Sequence, residues 1–183
     1  MEFDDVVKQR RSLRSFAPVE VSDALIRELA AAAGRAPSCS NKQPWRFVFA
    51  RSKEARERMV GVLAPGNAIW AKQASMIVVV WSHAELDCRT PDGRDYHQFD
   101  TGMATALLLL AATERNLVTH PVAGFDAQAA RDVLALPAEA QVITLIMVGG
   151  RAQTIFPELK DWQIKAETEP STRIPFEEFA TIV

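Results

Sequence analysis

Cysteine is scarce in this chain, with Cys39 and Cys88 the only two among 183 residues. They can make at most one bridge, so a disulfide-stapled scaffold is excluded. Glycine is scarce too, at eight residues, and none of them builds a P-loop or a GxGxxG fingerprint. The pair Gly149-Gly150 follows an apparent strand with no suitable helix behind it. A phosphorylated ligand must therefore be held by side-chain cations or irregular backbone, and a stable Rossmann-type nicotinamide site is disfavoured. An excess of one charge is missing as well: 21 basic and 23 acidic residues leave a formal charge of −2. That excludes a whole-surface field for a polyanion, and no nucleic-acid partner is expected. The most apolar helical stretch, MATALLLLAA at 103–112, is about half of what spans a bilayer and is bounded by Asp100 and Glu114. No membrane partner is expected. MEFDDVVKQRRS lacks the charged, apolar, cleavable pattern of a secretory signal, which makes a reducing cytoplasm the expected location.

What is present is enough for one buried core, and residues 1–183 read as a single domain without repeats or low-complexity linkers. FDDVVKQRR places Phe3, Val6 and Val7 on one helical face. LRSFAPVEV then reads as extended. Ser22 is a good N-cap for a helix whose buried stripe runs from Leu25 to Ala33 before Gly34, and Ser52 can cap another carrying Ala55, Met59, Val60 and Leu63. WRFVFA at 45–50 and VITLIMVGG read as strands, while MIVVVW at 76–81 reads as a central strand covered on both faces. Residues 83–99 are polar and turn-rich and read as a loop, followed by an apolar helix near 100–115 and another near 127–135. The tail after the last strand has no strong periodicity and suits wrapping over another subunit. Helices around a mixed sheet are the expected architecture.

Three segments could carry chemistry. RRSLR combines Arg10, Arg11, Ser12 and Arg14, whose guanidinium forks and hydroxyl suit a phosphate dianion; a solvated basic helix end is the plain alternative. APSCSNKQPW at 36–45 restricts the backbone with Pro37 and Pro44 and offers Ser38, Ser40, Asn41 and Gln43 as donors and acceptors. It could be a shaped edge for a polar heteroaromatic ligand, or a capped helix-to-strand turn. A metal reading could join His83, Cys88 and His97, but their loop has no tightly spaced ligand pair, and no metal is expected. A cysteine nucleophile could use Cys39 with His120 and Asn41, although no local hydrolase signature accompanies it and a small buried thiol is the simpler reading.

RRSLRSF, APSCSNKQPWRF and HPVAGFD, in that order, resemble the FMN-dependent nitroreductase family, and the likeness runs from about Val6 to Pro175. The resemblance implies an α+β fold, a nitroreductase-like mixed sheet surrounded by helices, in an interlocked homodimer with FMN at the subunit interface. It places Arg10, Arg11, Ser12 and Arg14 around the phosphate and ribityl side from one subunit, with Pro37, Ser38, Cys39 and Asn41 lining the flavin from the other. By the same likeness Arg173 of STRIP is a second phosphate clamp, and Asn67 meets the pyrimidine edge of the ring. Pro121 and Val122 lead to Ala123 and Gly124, whose backbone lies beside the flavin N5. Two departures stand out: family members often carry an acidic residue where Ala123 stands and a basic one where Ser171 stands. The chain is also compact, with no obvious long helical lid at 83–99.

The resemblance implies an enzyme that takes hydride from NADH or NADPH and reduces small electrophilic acceptors, nitroaromatics or quinones, by a ping-pong mechanism. Reductive dehalogenation, flavin breakdown and a non-catalytic flavin-storage role are the alternatives that the same binding residues permit.

Overall fold

Helices and apolar strands follow one another along residues 1–183, all of which the computed structural model describes. Helix α1 is Phe3–Gln9, strand β1 Phe16–Ala17 and helix α2 Asp23–Ala33. Ser22 Oγ accepts the Leu25 N–H at 3.1 Å, the N-cap bond that satisfies an otherwise unpaired first-turn donor. Strand β2 is Arg46–Ala50, and Ser52 caps helix α3, Lys53–Gly61, in the same way. Helix α4, Pro65–Ala71, precedes β3, Met76–Ser82. Then come α5, Tyr96–Glu114, β4, Leu117–Val122, α6, Ala127–Val133, and β5, Gln141–Arg151. The tail carries α7, Asp161–Thr168, and α8, Phe176–Phe179, two helices absent from the sequence reading.

Strand β5 organises the sheet. It pairs with β3 and β1 along one edge and with β4 along the other, while β2 extends the sheet beyond β3. Every pairing within the chain is antiparallel, so the expected α+β class holds but the mixed strand directions do not. The reason is physical: MIVVVW reports burial on two faces, and helices on both faces bury a strand whatever its neighbours' direction.

Side-chain alternation divides that burial into two layers. Ile77, Val79, Leu145 and Met147 pack with Met59, Leu63 and Trp70 on one face. Met76, Val78, Val80, Ile146 and Val148 pack with Leu29 of α2 and with Ala104, Leu108 and Ala112 of α5 on the other. Helix α5 begins four residues before the expected start near 100, taking Tyr96 to Phe99 out of the loop. Its apolar residues exceed what one chain can cover. Leu107, Leu110 and Ala111 are half-buried and, with Met1, Phe3 and Val6, border an open groove of about 340 Å³.

Candidate functional site

Arg10 follows the last turn of α1, where its N–H caps Val6 O, and its Nη1 donates to Ser12 Oγ at 3.3 Å. Burial, then the charges of Arg173 and Arg11, push its guanidinium below the ordinary arginine value. This repulsion is diagnostic because Arg10, Arg11 and Arg173 form no ion pair in the chain. The tail thus returns Arg173 to the N-terminal basic segment, 163 residues away by number. Arg11 is partly committed to structure: its Nη2 donates to Ala166 O and Glu169 O, both at 2.6 Å, and so fastens the C-terminal end of α7. Arg14 lies over the rings of Trp162 and Trp70, at 4.9 and 5.8 Å. Glu167 accepts the Arg14 and Ser15 backbone N–H groups at 2.7 and 3.3 Å, which shapes the turn that follows the half-buried Arg10 and Ser12.

A buried histidine ties this basic segment to the sheet. His120 sits in β4 against Trp70, with ring centroids 4.6 Å apart, and its Nδ1 lies 3.1 Å from Leu13 O. Burial above all, and then the Arg14 charge, lower its pKa from 6.5 to about 4. The ring is therefore neutral at pH 7, and since a carbonyl only accepts, the proton sits on Nδ1.

Beyond β4 the chain turns along α4. Gly124 O accepts two hydrogen bonds, from Ala64 N at 2.9 Å and from Asn67 Nδ2 at 3.1 Å. A Cβ at Gly124 would stand 2.7 Å from Asn67 Nδ2, so glycine permits this close approach. The N–H groups of Ala123 and Gly124 donate to no acceptor in the chain, and Ala123 is exposed. Two adjacent free backbone donors at a strand end form an edge on which a planar acceptor can sit. Asn67, Ala123 and Gly124 are thus brought together, with Pro121 and Val122 forming the end of β4 that leads into this turn.

The loop 37–43 belongs to another part of the molecule. Ser40, Asn41 and Gln43 all adopt positive φ, 49°, 55° and 52°, a conformation that non-glycine residues rarely hold. Internal bonds maintain it: Ser38 Oγ accepts the Gln43 N–H at 3.0 Å, and Gln43 Nε2 donates to Asn41 Oδ1 at 3.2 Å. Much of the loop's hydrogen-bonding chemistry therefore serves its own turn, while Asn41 Nδ2 has no partner in the chain. Cys39 N–H donates to Asp100 Oδ2 at 2.7 Å, anchoring the loop to the start of α5. No hydrogen bond links residues 37–43 to Arg10, Asn67, Gly124 or Arg173. Ala36 and Trp45, which flank the loop, pack in the layer of α2 and α5, whereas Leu13, Trp70 and Val122 pack in the other, so one chain carries the two halves of the expected site on different faces of its sheet.

The free-thiol reading of Cys39 is corrected. Cys39 is bonded to Cys88, with Cα atoms 6.0 Å apart, and there is no free cysteine. His120 meanwhile faces Trp70 and Leu13, which removes the proposed base. A nucleophile needs a thiolate within reach of a base, and neither condition is met.

The family model described as the nitroreductase family matches residues 7–151, and the chain belongs to that family. An NADH dehydrogenase of Thermus thermophilus is 28% identical over 179 residues, covering 81% of this chain and 86% of its own. Among solved structures, one described as the oxidoreductase containing FMN is 30% identical with a TM-score of 0.82, and covers 97% of this chain and 90% of its own. A structure from Exiguobacterium sibiricum, described as a nitroreductase in complex with FMN, superposes with a TM-score of 0.83 over 100% of this chain and 98% of its own at 19% identity. That last likeness concerns the fold.

Proposed function

We propose that the protein is an FMN-dependent oxidoreductase that takes hydride from NADH or NADPH and reduces small electrophilic acceptors, such as nitroaromatics or quinones, in ping-pong order. The observation that carries this reading is the gathering of Arg10, Arg11 and Arg173 with no carboxylate to neutralise them. Like charges are brought together in a fold only at a cost, and a phosphate dianion offsets it through several charge-assisted bonds at once. The residues fit FMN at its other end too. Asn67 and the free N–H groups of Ala123 and Gly124 present donors of the kind that a flavin ring edge accepts.

FMN, when bound, supplies a ring that can accept hydride and pass the reducing equivalents onward. The chain's own task is narrower: hold the phosphate, orient the ring and leave one face open. Ala123 contributes only backbone and a methyl group there, so no side-chain acid is offered at that position. The second half of the site, Pro37, Ser38, Cys39 and Asn41, comes in this reading from a second copy of the chain. An α5 whose half-buried Leu107 and Leu110 border an open groove supports such a homodimer, as do the exposed Ile174, Phe176 and Phe179 of the tail. The reading also places the protein in the cytoplasm.

An absorbance spectrum before and after anaerobic addition of NADH or NADPH tests it. A yellow protein that releases FMN and bleaches with either nucleotide is expected. Release of FAD, failure to take up FMN, or a flavin that stays oxidised with both nucleotides would overturn it.

A further inference from the structure

Cys39 and Cys88 meet beside an unusually unpaired group of polar side chains. His97 Nδ1 and Nε2, His83 Nδ1, Asp87 Oδ2, Asp100 Oδ1 and Thr101 Oγ1 account for six of the nine buried side-chain polar atoms that have no hydrogen-bond partner. His97 and Asp100 are 1% and 0% exposed and Asp87 is 6%, so bulk water does not satisfy them. Unpaired buried polar groups on this scale are expensive, and their clustering points to a missing ligand. Both cysteines are stitched into the cluster: Cys39 N–H donates to Asp100 and Cys88 N–H to Asp87 Oδ1, each at 2.7 Å. The two sulfurs and an Asp87 carboxylate oxygen lie within 4.8 Å of one another. A cavity of about 220 Å³, bordered by Cys88, Tyr96 and His97, gives a small ion a way in; Arg89 and Arg94 also border it, their charges paired with Glu85 and Asp92.

We propose that the reduced form of this cluster is a zinc-class metal site in which Cys39, Cys88 and Asp87 are ligands, with the unpartnered His97 imidazole beside them to complete the set. Two thiolates, a carboxylate and an imidazole are the donor types that zinc selects, and a tetrahedral ion spaces such donors by about 3.7 Å. The sulfurs need only part from their bonded position to reach that spacing. A dithiol reductant supplies two electrons and two protons, itself closing to a disulfide, and splits the Sγ–Sγ bond into two thiols. The divalent ion then displaces both thiol protons to solvent without changing oxidation state. In a reducing compartment disulfides are rare, so the dithiol is the form that would meet metal there. The same loop is thus held in one of two ways, by a disulfide or by an ion, and the site stands whether or not the loop lines a flavin.

Cobalt(II) titration of the full chain tests this, after anaerobic reduction and removal of the reductant. The expected result is a thiolate-to-cobalt charge-transfer band that saturates at one ion per chain, disappears on adding zinc, and is absent from the disulfide form. Cys88→Ser should abolish the band. Asp87→Asn keeps an oxygen to accept the Cys88 N–H, so the fold is retained while affinity falls at least about tenfold. A reduced chain with two titratable thiols and no band overturns the proposal. So does a band that the disulfide form shares, or one unchanged by Asp87→Asn. FMN content, measured on the same samples, separates failure of the metal site from failure of the flavin reading.

Discussion

Around Arg10 the fold gathers cations, with the nearby Glu167 carboxylate engaged by the turn's backbone N–H groups; around Cys39 it gathers carboxyls and imidazoles, with Arg89 and Arg94 at the edge paired to Glu85 and Asp92. Arg10, Arg11, Arg14 and Arg173 make no ion pair, and neither do Asp87 and Asp100. The basic end is nevertheless rigidly supplied, by Glu167 on the turn, by the α7 terminus on Arg11 and by His120 on Leu13. The acidic end is supplied instead by one covalent bond and two N–H contacts. The difference teaches that unpaired charge in this fold is not loose packing. Each deficit sits where neighbouring bonds are well made, which is how a binding site differs from a frayed surface.

The largest effect that can break this comparison lies at His120, because it pins the basic segment to β4. Its pKa is lowered in the fold from 6.5 to about 4, so the unfolded chain binds the proton first as pH falls. The stability it contributes is therefore complete above pH 6.5, is lost as pH falls toward 4, and amounts to about 3 kcal/mol. His120→Gln should lack that step. Chemical denaturation of both proteins between pH 7 and about 4 checks it, and parallel curves would remove His120 from the account.

Arg173→Ala comes next. Losing one charge-assisted contact should weaken FMN by roughly 1.5–3 kcal/mol, or about tenfold to a hundredfold, with a smaller loss for riboflavin. Equal weakening of the two flavins would mean that Arg173 acts through folding or assembly. The smallest effect on stability is expected of Gly124→Ala. The new Cβ meets the movable end of Asn67, so unfolding should shift by no more than about 1–2 kcal/mol. Flavin reduction by NADH or NADPH should suffer more, since Asn67 loses its place on Gly124 O. A normal reduction rate in a stable Gly124→Ala protein would dissociate this turn from the chemistry.

Local signals made much of the scaffold legible in the sequence. Ser22 and Ser52 cap the helices expected of them, and Met76–Ser82 is the doubly covered strand that its apolar run implies. Helix α4 escaped because PGNAIWA is short and opens on Pro and Gly, and its burial rests on Trp70, packed against Phe16 and His120, and on Ala71. Helix α7 escaped because few of its residues are apolar; Glu167 and the carbonyls that receive Arg11 hold it. The candidate site follows the same division. Arg10 and Ser12 lie in one contiguous motif whose phosphate chemistry could be read from its residues beside a plain basic helix end, whereas the HPVAGFD turn and Arg173 beside Arg10 could be placed only by resemblance. The pairing of Cys39 with Cys88 across 49 residues, and the part of His120 on Leu13, depend on tertiary placement that no local pattern encodes.

Two variants of the chain, combined in one dimer, test the central claim most directly: that the basic end and the 37–43 loop of one flavin site come from different copies. One chain carries Arg10→Ala with Arg173→Ala; the other carries Asn41→Asp, a residue that tolerates the positive φ held at this position. Each variant alone should bind FMN weakly. In the mixed dimer one site combines the intact basic end of one chain with the intact loop of the other, so tight FMN binding should return at one flavin per dimer. If each site were built within a single chain, both sites of the mixed dimer would carry a lesion and no tight binding would return, which would contradict the account.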